Sequence, residues 1–199
     1  MNNFDKPRSQ QLKNLLKNYE TETRDIDRNE FVDRASGSIQ DGISTKEQVA
    51  SVVRYFLNKN NKFGDKSRAL FMVAHAMAFR GDEARNIELA DMSCLQIPSS
   101  GPQNCIALVI NVNKTKTNQT GKQQYGVCVR SSDPLCCPIG ALSFLFFRWW
   151  EIEHQTPPDL KDSQSWFLDK LFPKKGSKTV SLKFSTHYAD FKSALTALG

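Results

Sequence analysis

The sequence lacks the ligand spacing that holds zinc or another metal. Its five cysteines form no CxxC pair, and its three histidines are scattered along the 199 residues. Zinc sites need closely spaced thiolate and imidazole ligands. We therefore expect no metal site, no other cofactor, and cysteines that remain reduced thiols.

Long apolar runs and a secretory leader are also missing. The longest apolar stretch, Ile139–Trp150, is too short to span a bilayer and contains Arg148. The first residues, Met1–Lys6, turn polar at once, unlike a signal peptide. We therefore expect an intracellular protein that does not enter a membrane.

Acidic residues are absent from one long segment, between Asp91 and Asp133, although the formal net charge is only +6. A basic segment without acids favours an anionic partner such as nucleic acid. Exposed lysines are also common on proteins that bind no nucleic acid, so a merely solvated face remains an alternative. The cations in this segment are Lys114, Lys116, Lys122 and Arg130.

Turn-prone residues at Ala35–Gly42 separate two parts of the chain. Before them, Leu12, Leu15, Leu16 and Tyr19 follow the spacing of one helical face. We therefore predict an N-terminal helical arm with its hinge, residues 1–41, and a main domain, residues 42–199.

The main domain combines apolar helices with a few β-branched strands. An almost wholly apolar stretch, Ser67–Phe79, predicts a central helix, and Pro138 is well placed to begin another that reaches Trp150. Residues 106–113 and 123–130 predict a β-hairpin. The fold class is therefore α+β, mainly helical, with a small antiparallel sheet. The residues predicted to fill the core from the second helix are Phe144, Leu145, Phe147 and Trp149.

Arg80 follows the apolar helix directly, where an unpaired cation would be costly. Its guanidinium can pair with Asp82 or Glu83 in a structural ion pair. It can equally bind a phosphate through two parallel hydrogen bonds. The residues alone leave both possibilities open.

The predicted hairpin carries a second basic element at its tip. Lys114 and Lys116 alternate with threonines, so both ammonium groups can project from one face. That face can lie over a phosphate or enter a DNA groove, and backbone-phosphate contacts of this kind do not depend on base sequence.

The order of these elements resembles the catalytic domain of the tyrosine recombinases. Four motifs are similar to the fungal branch, which contains the Crypton-type recombinases and a related centromere-binding protein that keeps the fold without the catalysis. The motifs are Phe31–Arg34 with Gly37-Ser38, Phe79–Arg85, Lys116–Gly121 and Asp133–Leu142.

The resemblance implies roles for several residues. Arg80 matches the first catalytic arginine and Lys116 the hairpin lysine, which together stabilise the phosphate undergoing transfer. Asp82 and Glu83 would then be structural supports. Taken together with the acid-free basic segment, this predicts DNA-binding residues at Arg80, Lys114, Lys116, Lys122 and Arg130. The partner implied is double-stranded DNA in the nucleus, with copies of the protein pairing on symmetric sites.

The sequence departs from the recombinase pattern after the hairpin. His187 is followed by Tyr188-Ala189-Asp190, so a His-x-x-Arg motif is missing, and no tyrosine is positioned as the nucleophile. We therefore expect DNA binding through backbone phosphates by a catalytically incomplete domain. Two alternatives remain: a fragment of an active recombinase that stops before these residues, and a protein-interaction scaffold without catalysis.

Overall fold

The computed structural model describes Asn14 and residues 45–98, 105–112 and 124–198. The chain divides into two compact units, Met1–Thr45 and Lys46–Gly199. The elements described below all belong to the second unit. The predicted arm, residues 1–41, lies outside the described residues apart from Asn14, so that domain boundary stays a prediction.

Helices make up most of the described secondary structure, which also contains one three-stranded sheet. The helices are α1 (Lys46–Asn58), α2 (Lys62–Ala76), α3 (Gly81–Asn86), α4 (Pro138–Phe147), α5 (Ser163–Trp166) and α6 (Phe184–Leu198). The strands are β1 (Met92–Ile97), β2 (Cys105–Val112) and β3 (Gln124–Val129), in the order β1-β2-β3. The predicted fold class, mainly helical α+β with a small antiparallel sheet, is confirmed. Within the described residues, none of these helices has the length and apolar character needed to cross a bilayer.

The central helix α2 is buried over its middle but not at its C-terminal end. It begins at the cap Asn61, whose side-chain Oδ1 accepts hydrogen bonds from Phe63 and Gly64 backbone N–H groups at 3.0 and 2.9 Å. It ends at Ala76, three residues before the predicted end. Ala78 then adopts a left-handed φ of 53°, which turns the chain away from the helix axis.

The sheet packs closely against this turn because β3 contains a glycine there. A Cβ at Gly126 would lie 2.3 Å from Phe79 Cζ and 2.9 Å from Met77 Sδ. Both strand pairings are antiparallel, and β2 and β3 are paired from Ala107↔Val129 to Val112↔Gln124. The predicted hairpin pairing is therefore confirmed. Because Gly126 has no side chain, β3 can pack directly against Met77 and Phe79, just after the end of α2.

Helix α4 buries one face and exposes the other. Ala141, Leu142 and Leu145 are buried, whereas Phe144 is 59% exposed and Phe147 is also exposed. The prediction that both phenylalanines fill the core is wrong, because helical spacing places them on the face opposite Leu145. The one polar side chain of this helix, Ser143, is exposed on the same side as Phe147, four residues later, and was the signal for this orientation.

Buried charges join α2 to its neighbours. Arg148, just after α4, pairs with Asp65 of α2. Arg68 is buried, donates from Nη2 to the Leu135 carbonyl at 3.1 Å, and lies 5.6 Å from the centre of the Phe144 ring. These contacts explain how a helix with charged positions occupies the centre of the domain.

Candidate functional site

Arg80 lies on the surface rather than in the core. It is the cap residue before α3, and its side chain is 58% exposed, with Nη1 3.8 Å from Glu83 Oε1. The expectation of a desolvated cation at residue 80 is wrong, because α2 ends at Ala76 and the turn carries the chain outward. A pair this exposed and this long contributes little stability. The guanidinium is therefore accessible to an anion from solvent.

Glu83 positions the backbone at Arg80. Its Oε2 accepts a hydrogen bond from the Arg80 backbone N–H at 2.9 Å, and its side chain is largely buried. This bond is the glutamate half of a capping box and closes the first turn of α3, while the Arg80 guanidinium, which has no acceptor atom, cannot form the other half. Glu83 therefore supports the backbone at Arg80, whereas Asp82 pairs with Arg85.

The buried arginine of this region is Arg85, which the sequence analysis did not single out. Its side chain is only 6% exposed, and it pairs with Asp82. Nη1 lies 3.2 Å from His187 Nδ1, and the guanidinium lies 5.3 Å from the centre of the Phe184 ring. The available signal was Asp82 three residues before Arg85, the spacing of neighbours on one helical face.

His187 is held neutral by this arrangement. Burial lowers its pKa, and the nearby Arg85 cation lowers that pKa further. Since the arginine is the donor, Nδ1 accepts and the ring proton lies on Nε2. Asp190, at the position where a His-x-x-Arg motif would have arginine, accepts a hydrogen bond from Ser67 Oγ at 2.8 Å. This part of α6 therefore supports the core and adds no second arginine.

A hollow of about 390 Å³ lies between the turn that precedes Arg80 and the base of the hairpin, and Arg80 itself is not among its described lining residues. It is lined by Phe79 and Glu83 on one side, and by Val112 and Gln124 on the other. Val112 and Gln124 are the paired ends of β2 and β3, from which the loop 113–123 departs. The structure therefore brings the two ends of that loop beside the residues that flank Arg80.

The predicted basic residues of the hairpin have different outcomes. Lys114, Lys116 and Lys122 lie outside the described residues, so their positions stay predictions. Arg130 is exposed, but it follows the end of β3 that pairs with Ala107. Six residue steps separate it from Gln124, about 20 Å along an extended strand. The structure does not bring Arg130 to the hollow.

Metal-binding groups are not assembled in the described ranges. No cluster of three or more histidine, cysteine or acidic side chains occurs there that could hold an ion.

Comparison with known proteins identifies a family and a similar solved structure. Curated protein sequences give no significant match. A chain of the solved structure "FLP Recombinase-Holliday Junction Complex I" is similar at 12% sequence identity and a TM-score of 0.47. The similarity covers 99% of this chain but 43% of the recombinase chain, so this chain spans less than half of that protein's length. The family model "Centromere DNA-binding protein complex CBF3 subunit, domain 2" matches residues 1–190, and the chain therefore belongs to that family.

Proposed function

We propose that this chain binds duplex DNA through its backbone phosphates. The observation that carries the proposal is the family match over residues 1–190, because the family is described as a subunit of a centromere DNA-binding complex. The bound surface would contain Arg80 and the lysines of the β2–β3 loop, Lys114, Lys116 and Lys122. Centromere binding by the family also supports a nuclear location.

The geometry around the hollow supports this surface. Arg80 is exposed, and Glu83 fixes its backbone, so the guanidinium projects from a rigid capping turn. Lys116 follows Val112 by four residues, which limits its Cα to about 14 Å from that strand end. A loop that carries Lys116 toward Arg80 would allow the two cations to contact neighbouring phosphates of one duplex.

The contacts proposed are electrostatic and independent of base sequence. Lysine and arginine contacts to phosphate oxygens position a protein on DNA without reading bases. The absence of acids between Asp91 and Asp133 removes repulsion along the loop and its strands. We do not propose an element that reads bases in a DNA groove. We do propose that copies of the protein pair on symmetric DNA sites.

The proposal is DNA binding rather than strand cleavage by these residues. Arg80 and Lys116 would hold a phosphate, but none of the three histidines is followed by arginine three positions later. Arg85 is not proposed as a second phosphate contact, because its buried guanidinium already pairs with Asp82 and contacts His187. A cleaving recombinase, Crypton-type or other, and a protein scaffold remain the alternatives to be tested.

A binding measurement separates the three possibilities. The fluorescence anisotropy of a labelled duplex is followed at fixed salt for the wild type, an Arg80→Ala/Lys116→Ala variant and a Lys161→Ala/Lys192→Ala variant. The control lysines are exposed and distant in sequence from the hollow. We expect about tenfold weaker binding or more for the first variant and less than about twofold for the control.

Other outcomes identify the alternatives. A wild-type chain that does not bind the duplex would favour the scaffold. Equal weakening by both variants would show that only total charge matters and would reject the proposed surface. A covalent protein–DNA adduct on a nicked duplex would identify a recombinase.

A further inference from the structure

A second cavity, of about 340 Å³, lies on a different part of the domain. It shares no lining residue with the hollow beside Arg80. Its walls come from the start of α2, the turn Arg148–Ile152 that follows α4, and residues 173–178. This volume is within the range of small-molecule sites in proteins.

The cavity is strongly basic. Six lysines line it against two carboxylates, Glu153 and Asp169. Of the six, Lys170 pairs with Glu88 at 2.7 Å, and the other five have no carboxylate within ion-pair distance among the described residues. The lysines are Lys62, Lys66, Lys170, Lys174, Lys175 and Lys178. A concave surface of one sign concentrates oppositely charged ligands.

Lys66 is the most deeply placed of the unpaired cations. Its Nζ donates to the Pro173 carbonyl at 3.0 Å, which is its only hydrogen bond to the described residues. Burial lowers its pKa, and Lys62 nearby adds repulsion, partly offset by Asp190 and Glu153. An anion in the cavity would accept from the remaining N–H groups and relieve this electrostatic cost.

Aromatic rings form the apolar part of the same cavity. Trp149, Trp150 and Phe63 line it. The Trp150 ring is held in place by stacking on Phe146, with ring centres 5.0 Å apart and planes inclined by 5°. Phe63 is exposed at the rim. Such rings offer faces on which a nucleobase can stack.

The lysine-bearing wall is an ordered turn. Lys174 N–H donates to Val180 O at 2.7 Å, and Ser177 N–H donates to Lys174 O at 3.1 Å. Gly176 has φ of +81°, a conformation that favours glycine and closes the turn. Lys174, Lys175 and Lys178 are therefore presented from a fixed backbone, which lowers the entropic cost of gathering their charges around a ligand.

We propose that this cavity binds a nucleotide, with the base against Trp149, Trp150 and Phe63 and the phosphates against the lysines. The nucleotide is either free or the terminal, unstacked residue of a nucleic-acid strand, since both present the same chemistry. A phosphorylated peptide fits less well, because such peptides are recognised by arginine clusters and no arginine is among the described residues that line the cavity.

The proposal is tested with ADP, adenosine, inorganic pyrophosphate, a 5′-phosphorylated trinucleotide and a phosphoserine peptide, by calorimetry and tryptophan fluorescence. We expect ADP to bind more tightly than adenosine, which lacks the phosphates, and more tightly than pyrophosphate, which lacks the base. Tighter binding of the trinucleotide than of ADP identifies a strand terminus as the source, and the reverse identifies a free nucleotide.

The variant is Lys174→Ala/Lys175→Ala/Lys178→Ala, and the control is Lys46→Ala/Lys161→Ala/Lys192→Ala. All six side chains are exposed, so both variants are expected to fold. ADP binding should weaken at least about tenfold in the first and less than about twofold in the second. No binding of ADP or the trinucleotide, equal weakening in both variants, or tighter binding of the phosphoserine peptide would overturn the proposal. Duplex DNA affinity, measured in parallel, reports on the Arg80 surface separately.

Discussion

At the scale of single residues, Arg80, which precedes α3, and Arg85, in its last turn, differ sharply in environment. Arg85 is enclosed by Asp82, His187 and Phe184, whereas Arg80 is mostly solvated. The sequence argument that a desolvated cation needs a charged partner therefore applies to Arg85, which pairs with Asp82, and not to Arg80. Sequence could not assign it, because which of two nearby arginines points inward depends on where α2 ends.

This difference predicts unequal effects on stability. Arg85→Ala should lower the free energy of unfolding by about 1–3 kcal/mol, because it removes the donor to His187 Nδ1 and the cation over the Phe184 ring. Arg80→Ala should change it by less than about 0.5 kcal/mol, as expected for an exposed side chain. Urea unfolding of both variants measures the two values, and equal losses would contradict the assignment.

His187 predicts a pH dependence of stability. Its folded-state pKa is lowered below the ordinary value of 6.5, mainly by burial and then by Arg85. As pH falls below 6.5, the unfolded chain therefore binds a proton that the folded chain resists. The stability contributed by the neutral ring is complete above that pH and is lost as pH falls toward the folded pKa.

His187→Asn is the matched variant, because its amide oxygen can still accept from Arg85 and cannot titrate in this range. Urea unfolding between about pH 5 and about pH 7.5 should show the wild type losing stability relative to the variant on acidification. A constant difference across that range, or a wild type that gains stability in acid, would show that the His187 pKa is not lowered.

At the scale of elements, the sequence predicted which helices and strands exist. It was less successful in predicting where they end and which face of each is buried. The hairpin was found because β-branched residues flank a loop on both sides, and its pairing is confirmed. Helix α2 was predicted to begin at Ser67, but it begins at Lys62. The prediction followed the apolar residues and did not recognise Asn61 as the cap, because polar and charged residues surround it. The exposed face of α4 was missed because Phe144 and Leu145 are equally apolar, and Ser143 alone marked that face.

Gly126 predicts how tightly the sheet is packed against the turn after α2. In Gly126→Ala the new Cβ would approach Phe79 Cζ to 2.3 Å, so the ring or the strand must move. We expect a loss of about 1–3 kcal/mol, typical of overpacking. Phe79→Ala removes the obstructing ring, so the double variant should lose less than the sum of the single losses. Additive losses in urea unfolding would show that residue 126 does not contact Phe79.

At the scale of the whole molecule, the fold class followed from the alternation of apolar helices with short β-branched strands. Family membership agrees with the sequence resemblance to a centromere-binding branch, while the Crypton relationship remains a prediction. The hollow beside Arg80 could be anticipated only in outline, because it depends on Gly126 and on the turn at Ala78. The lysine-rich cavity could not be predicted from sequence, because lysines near residue 175 meet the start of α2, more than 100 residues earlier in the chain, only in the folded domain.

The salt dependence of duplex binding tests the central claim most directly. Log K for a labelled duplex is plotted against log salt concentration for the wild type and for Arg80→Ala/Lys116→Ala. Because each phosphate contact contributes about 0.9 to the slope, the account predicts a clearly negative wild-type slope that becomes shallower by about 2 in the variant. A wild-type slope near zero, or the same slope in both proteins, would contradict it.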